Sequence, residues 1–145
     1  MYNKNKTFKS AVLVNQKKKL KILDISSPNK LKKGQVCVKL VSSSICGAQI
    51  GEIDGIKGKD KWLPHCLGHE GFGVIVDKNN SVKKVKINDQ VILHWRVSKG
   101  MNSLPINYLS RIGKINAGQV TTFQEYAIIS ENRITKINNF YKFKK

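Results

Sequence analysis

Gly68-His69-Glu70-Gly71-Phe72-Gly73-Val74 is the segment from which the rest of this chain can be interpreted. It sets an imidazole beside a carboxylate among glycines, and Cys46 lies 23 residues before His69. A thiolate, an imidazole and a carboxylate are the ligand types of an open zinc site. Glycine lets the backbone approach closely, because it has no side chain. The segment therefore predicts a metal site that uses Cys46, His69 and Glu70.

The same segment also has a structural interpretation. A Gly-His-Glu-Gly sequence is compatible with a tight entry into a strand that carries a hydrogen-bonded histidine. Because Cys46 supplies a third ligand type, we favour a metal site over this structural interpretation. We interpret the other two histidines, His65 and His94, as structural.

Two further cysteines do not extend the predicted ligand set. Cys37 lies within an apolar strand-like run, and Cys66 precedes the motif in a flanking loop. Buried cysteine commonly behaves as a small apolar side chain. We therefore interpret both thiols as structural.

The composition is that of one folded domain with a basic surface. The chain has 145 residues, of which 40% are hydrophobic, and its formal net charge is +18. Only Arg96, Arg111 and Arg133 are arginines, so the planar fork favoured in phosphate recognition is scarce. The lysines are dispersed along the chain, which favours a solvated surface over a nucleic-acid site. An anionic or nucleic-acid partner remains the alternative.

The cysteine count and hydropathy predict the cellular setting. Three cysteines are an odd number, and no apolar signal segment follows the first residues, so a disulfide framework is not expected. No run approaches the roughly 20 apolar residues needed to cross a bilayer. These features predict a soluble, cytoplasmic protein with no membrane partner.

Apolar patterning predicts mostly β structure in the first half of the chain. Residues 9–14 and 20–25 are expected to form a hairpin, and residues 36–41 a buried strand. Apolar positions at 45, 50 and 53 predict a short helix, and the glycine- and lysine-rich segment 55–64 predicts a loop.

The predicted helix would start close to Cys46. Ser42, Ser43 or Ser44 is a suitable N-cap residue. A helix N-terminus favours a thiolate, which is the form of cysteine that binds metal.

The second half predicts further strands around an irregular lobe. Residues 71–76, 90–93 and 123–129 have the apolar runs and lengths of strands. Residues 97–120 lack a clear period and carry turn residues, which predicts a long lobe or loop. The basic tail, residues 138–145, is expected to be frayed.

Three segments carry a family resemblance: residues 45–47, 67–76 and 88–92. In order and spacing they resemble the N-terminal GroES-like catalytic domain of the zinc-containing alcohol dehydrogenases, in the medium-chain dehydrogenase/reductase superfamily. The resemblance covers about residues 9–136, the expected folded body of a single domain over residues 1–145. It implies a mostly β fold, a partly open GroES-like barrel with one or two short helices and a long irregular lobe.

The resemblance also implies a chemistry. Cys46 and His69 would bind one catalytic zinc, Glu70 would be a ligand or a close neighbour of the metal, and Trp95 would shape the substrate pocket. The substrate would be a small alcohol or aldehyde. Zinc with an open coordination position stabilises an alkoxide or polarises an aldehyde. Hydride would pass to or from NAD or NADP, provided that a cofactor domain is supplied elsewhere. A barrel-wall role for Trp95 remains open.

This sequence departs from the family pattern at two positions near Cys46. Ala48 stands where the family usually has the Ser or Thr that relays the alcohol proton, and Gln49 stands where it usually has Asp. Gln49 retains hydrogen-bonding capacity but carries no negative charge. A water relay, altered chemistry and lost catalysis are the open explanations for Ala48.

The family's nucleotide-binding domain is not matched. No Gly-x-Gly-x-x-Gly follows a strand, and the four-cysteine cluster of many relatives is missing between residues 97 and 120, so no second zinc is expected. We therefore expect a catalytic domain that is truncated and inactive alone, with a nucleotide-binding domain as its partner in trans. The alternative is a non-catalytic GroES-like binding or interaction module with a basic surface.

Overall fold

The computed structural model describes residues 7–138, and most of its regular structure is strand. The elements in chain order are β1 Phe8–Leu13, β2 Lys21–Ser26, β3 Gln35–Ser43, α1 Gly47–Asp54, β4 His65–Cys66, β5 Glu70–Lys78, β6 Gln90–His94, β7 Asn107–Ser110, β8 Gly113–Asn116, β9 Tyr126–Ser130, a 3-10 helix Glu131–Arg133 and β10 Ile134–Lys136. The mostly β prediction is confirmed.

The strands form a closed barrel and a five-stranded sheet. The barrel runs β1-β2-β7-β8-β4, and the sheet runs β10-β6-β5-β3-β9. All pairs are antiparallel except β4 with β8. The segment before β9 joins the two units, because the Ala11 N–H donates to the Phe123 carbonyl and the Leu40 N–H to the Glu125 carbonyl.

Each unit has its own apolar core. The barrel core is built around Tyr108, Ile25 and Ile115, which are fully buried. The sheet core contains Val36, Ile75, Leu93 and other β-branched or aliphatic residues. Alternating apolar residues put one face of each strand into these cores.

Most predicted strands are confirmed. The hairpin of residues 9–14 and 20–25 is β1 paired with β2, and residues 36–41 lie within β3. Residues 71–76 and 90–93 lie within β5 and β6.

Three sequence-based boundaries were wrong. Residues 107–116 form the β7–β8 hairpin that helps close the barrel, so the predicted lobe is irregular only on either side of it. β9 begins at Tyr126 rather than residue 123, because the preceding segment links the barrel to the sheet. Cys46, not a serine, is the N-cap residue of α1. Of the predicted tail, residues 139–145 lie outside the described residues.

Within residues 7–138, no helix has the length and apolar character needed to span a bilayer.

Glu131 is a buried carboxylate that ties together three segments. Its Oε1 accepts the N–H groups of Lys83 and Lys84 at 3.1 and 2.9 Å, and its Oε2 accepts that of Met101 at 3.0 Å. The side chain is only 4% exposed. Burial alone would raise the pKa of Glu131, but the backbone donors and the Lys84 ammonium hold it below its ordinary value. Its negative charge therefore stabilises the folded chain.

We expect Glu131→Gln to lower the free energy of unfolding by about 1–3 kcal/mol, because an amide cannot accept hydrogen bonds at both terminal atoms. The measurement is urea denaturation at neutral pH, with the exposed Glu52→Gln as the control. Since the pKa is lower in the folded state, the carboxylate's contribution is present above its unfolded value of about 4.3 and is lost as the pH falls through the folded pKa. The gap between parent and Glu131→Gln should therefore close in acid, and an equal loss in Glu52→Gln would contradict this role.

Candidate metal centre

Strand pairing brings Cys46 to the His-Glu motif. β3 ends at Ser43, which pairs with Gly71 of β5, and the next N–H, that of Ser44, donates to the Glu70 carbonyl at 3.2 Å. The chain then turns into α1, whose N-cap residue Cys46 has an extended backbone. The thiol is thus held beside the start of β5, although it is distant from His69 in sequence.

Two glycines allow this close packing. A Cβ on Gly73 would lie 2.4 Å from the Lys39 carbonyl oxygen, so only glycine lets β5 lie this close to β3. Gly68 has φ +91°, and a Cβ there would lie 2.3 Å from Thr122 Oγ1. Its left-handed backbone turns the chain from β4 into the position at which His69 faces Cys46.

The three predicted ligands form one cluster. The Cys46 sulfur, a His69 ring nitrogen and a Glu70 carboxylate oxygen all lie within 4.8 Å of one another. His69 Nε2 and Glu70 Oε1 are 3.2 Å apart. The side chains of His69 and Glu70 are 21% and 51% exposed, so the cluster is open to solvent on one side.

Gln49 lies behind the cluster and is almost fully buried. Its Oε1 accepts the Cys46 backbone N–H at 3.0 Å, and its Nε2 contacts His69 Nδ1. One amide therefore connects the start of α1 to the histidine ring.

Trp95 lies on the other side of His69. Glu70 pairs with His94 across β5 and β6, so the residue after His94 lies close to the motif. The ring centroids of Trp95 and His69 are 6.4 Å apart, and the Arg133 guanidinium lies 5.4 Å from the Trp95 ring centroid. Trp95 is 56% exposed, so it is not a buried barrel-wall residue.

A cleft of about 1070 Å³ opens in front of His69 and Trp95. The loop before β4 and the chain in and around the β7–β8 hairpin both contribute to its lining. Its lining includes Gln16, Asp60, Trp62, Leu104, Ile106, Asn116 and Gln119. The cleft is large enough for a small organic molecule.

The remaining histidines and cysteines lie outside the cluster. His65 pairs with Asp60 at 2.6 Å, and His94 Nδ1 and Nε2 lie 2.6 Å from the Arg96 carbonyl and 2.9 Å from Thr135 Oγ1. Cys37 is buried in the barrel core. Cys66 is also buried there, and burial raises the pKa of its thiol to about 11, against a smaller lowering by its hydrogen bond with Ser10.

Sequence reasoning missed several residues of the cleft. Gln16 holds the loop by donating to the Gly58 carbonyl at 3.0 Å and accepting the Asp60 N–H at 3.0 Å. Asn116, the last residue of β8, donates to the Trp62 carbonyl of the same loop. Neither contact has a local sequence signal, because each joins segments far apart in the chain.

The cluster fits a zinc ion. Its sulfur, nitrogen and oxygen donors match the preferences of zinc, whose tetrahedral ligands lie about 3.5 Å apart. Separations of up to 4.8 Å require only small side-chain adjustments to reach that arrangement. Three protein donors also leave a position open on the solvent side.

The chain matches a known domain family over most of its length. Residues 32–139 match the alcohol dehydrogenase GroES-like domain. Among curated proteins, an alcohol dehydrogenase of Geobacillus stearothermophilus is 37% identical over 93 residues, which are 62% of this chain and 26% of that protein. An S-(hydroxymethyl)glutathione dehydrogenase of Photobacterium damsela subsp. piscicida is 27% identical over 141 residues, covering 80% of this chain and 37% of that protein. The chain thus spans about a quarter to just over a third of these two relatives.

Solved structures share the fold. An alcohol dehydrogenase zinc-binding domain protein of Burkholderia ambifaria aligns with a TM-score of 0.76 and 19% identity, over 93% of this chain and 43% of that one. Benzyl alcohol dehydrogenase of Acinetobacter calcoaceticus aligns with a TM-score of 0.74 and 20% identity, over 94% and 42%.

Gly68→Ala should cost more stability than Gly113→Ala, although both glycines have positive φ, +91° and +101°. A Cβ at Gly113 meets nothing within 4 Å, so only backbone strain of about 1 kcal/mol is expected. At Gly68 the clash with Thr122 should add about 1–3 kcal/mol. Urea denaturation of both variants measures the difference, and equal losses would show that close packing at Gly68 is unimportant.

Proposed function

Since the chain belongs to the alcohol dehydrogenase GroES-like domain family, we propose that it is the zinc-binding catalytic domain of an alcohol dehydrogenase-like oxidoreductase. The observation that carries this proposal is the cluster of Cys46, His69 and Glu70, whose ligand atoms lie within 4.8 Å of one another. His69 also lines the large cleft, so a bound metal would face a space for substrate. We place the folded body of this single domain at about residues 9–136.

Each residue has a proposed role at this site. Cys46 and His69 would hold one zinc, with Glu70 as a third ligand or close neighbour. When bound, zinc stabilises the alkoxide form of an alcohol and polarises the carbonyl of an aldehyde. Trp95 would form an apolar wall for the substrate beside His69. Ala48 has no exchangeable side-chain proton, so we assign proton transfer to water in the open cleft.

The substrate would be a small alcohol or the corresponding aldehyde. An alcohol substrate is supported by the names of the curated relatives, which include an alcohol dehydrogenase and an S-(hydroxymethyl)glutathione dehydrogenase. The cleft volume of about 1070 Å³ accommodates such molecules.

Hydride transfer would need NAD or NADP bound by a nucleotide-binding domain. The 145 residues contain no Gly-x-Gly-x-x-Gly after a strand, which is the usual dinucleotide signature. We propose that this domain lies outside the 145 residues, either in the same polypeptide or in a partner, and that these residues alone do not turn over substrate.

Purified protein is expected to contain about one zinc per chain, because three suitable donors converge on one point. Elemental analysis after gel filtration measures the metal content. Cys46→Ser and His69→Ala should each lose most of the zinc, whereas Cys37→Ala, which removes a thiol from the core, should retain it. Thermal melting checks that each variant is folded.

Equal zinc in the parent, Cys46→Ser and His69→Ala would refute the ligand assignment. Absence of zinc from a folded parent, even after incubation with zinc salts, would refute the metal site and favour the alternative of a non-catalytic binding module.

The 145-residue chain should show no alcohol-dependent reduction of NAD or NADP by itself, because its sequence lacks the usual dinucleotide signature. Fusion to the nucleotide-binding domain of a similar alcohol dehydrogenase should produce activity, measured by absorbance of the reduced cofactor. His69→Ala in the same fusion should abolish that activity. Turnover by the 145-residue chain alone would contradict the need for a second domain.

A further inference from the structure

Gln49 contacts one of the two ring nitrogens of His69. It is 2% exposed, and its amide lies between the Cys46 backbone and the His69 ring. Both ends of the amide are engaged, so its orientation can be deduced from the chemistry of its neighbours.

The Cys46 N–H determines how the amide is turned. A backbone N–H can only donate, so the atom that faces it at 3.0 Å must be the Gln49 oxygen. The NH2 group of Gln49 therefore points at His69 Nδ1. For this contact to be a hydrogen bond, Nδ1 must accept, and the proton of the neutral ring must be on Nε2.

Glu70 agrees with this assignment. His69 Nε2 lies 3.2 Å from Glu70 Oε1, and a protonated Nε2 donates to that carboxylate. One consistent chain of donors then runs from the Cys46 N–H through Gln49 and His69 to Glu70.

This arrangement conflicts with metal binding at Nε2. A ligand nitrogen must present a lone pair, so a bound metal requires the ring proton on Nδ1 instead. Nδ1–H needs an acceptor, which Gln49 provides only if its amide turns through about half a rotation. The NH2 group would then face the Cys46 N–H, which would lose its acceptor.

We propose that Gln49 is a positioning residue that holds metal-free His69 in the Nε2–H tautomer and that its amide reverses when zinc binds. This inference rests on the proposed zinc site. The amide reversal and the lost Cys46 hydrogen bond oppose binding, so Gln49 weakens the affinity of the site for zinc.

Gln49→Glu removes the conflict. A carboxylate has two acceptor oxygens, so one can accept from the Cys46 N–H while the other accepts from His69 Nδ1–H. Nε2, which lies 3.2 Å from Glu70 Oε1, then presents the lone pair that a metal ligand needs. Because hydrogen-bonding partners of metal ligands commonly change affinity 10- to 100-fold, we expect zinc to bind at least about tenfold more tightly.

The added negative charge requires a control. Ile50→Glu introduces the same charge at the next residue of α1, where the side chain is 53% exposed. It leaves the Gln49 amide in place, so it measures the effect of charge alone.

The first experiment is ¹⁵N NMR of the histidine rings in the metal-free full chain, under conditions in which His69 is neutral, with His69→Gln used to assign the signals. We expect the His69 proton on Nε2 in the parent and in Ile50→Glu, and a shift of the proton population from Nε2 towards Nδ1 in Gln49→Glu, where each ring nitrogen has a carboxylate neighbour. A parent ring with its proton on Nδ1 would overturn the inference.

The second experiment is competition between each protein and a chromophoric zinc chelator. The inference predicts that Gln49→Glu binds zinc at least about tenfold more tightly than both the parent and Ile50→Glu. If the parent binds one zinc and Gln49→Glu binds no tighter than Ile50→Glu, the inference is wrong while the proposed function stands. If no folded variant binds zinc, the proposed function and the inference about Gln49 both fail.

Discussion

The pairing of β5 with β3 on one side and β6 on the other is the constraint on which the site depends. β5 begins at Glu70, opposite His94 of β6, while Gly71 lies opposite Ser43 of β3. The two neighbours therefore deliver Cys46 and Trp95 to opposite sides of the His69-Glu70 motif. Gly73 makes the pairing possible, because any side chain there would collide with the Lys39 carbonyl.

The cleft depends on a second set of long-range contacts. The loop before β4 has no regular structure between Gly55 and Pro64, but Gln16 bonds it at two points and the His65–Asp60 pair holds it against the barrel. These contacts fix the loop as a wall of the cleft although it contains no helix or strand. This is a common arrangement in binding sites, where a rigid scaffold positions loops that carry function.

The buried amide of Gln49 contacts both the start of α1 and the proposed metal ligand His69. It accepts the part-buried Cys46 N–H at the start of α1, a donor that has no carbonyl partner within the helix, and it contacts the ring of a proposed metal ligand. A substitution of Gln49 that changes its hydrogen bond with the His69 ring must therefore also leave an acceptor for the Cys46 N–H. A neutral amide cannot accept from both neighbours, whereas a carboxylate can.

The sequence by itself determined the β-rich fold class, the principal strands and the residues of the candidate metal cluster. His69 and Glu70 are adjacent, and the spacing to Cys46 supports a family resemblance, so these features are local or recognisable as a pattern. Only the tertiary structure decided that Trp95 lies beside His69, that residues 107–116 help close the barrel and that Gln49 bridges Cys46 and His69. These features depend on strand register and on contacts between distant segments. Local periodicity reports which face of a strand is buried, but it does not specify which distant residue will lie opposite.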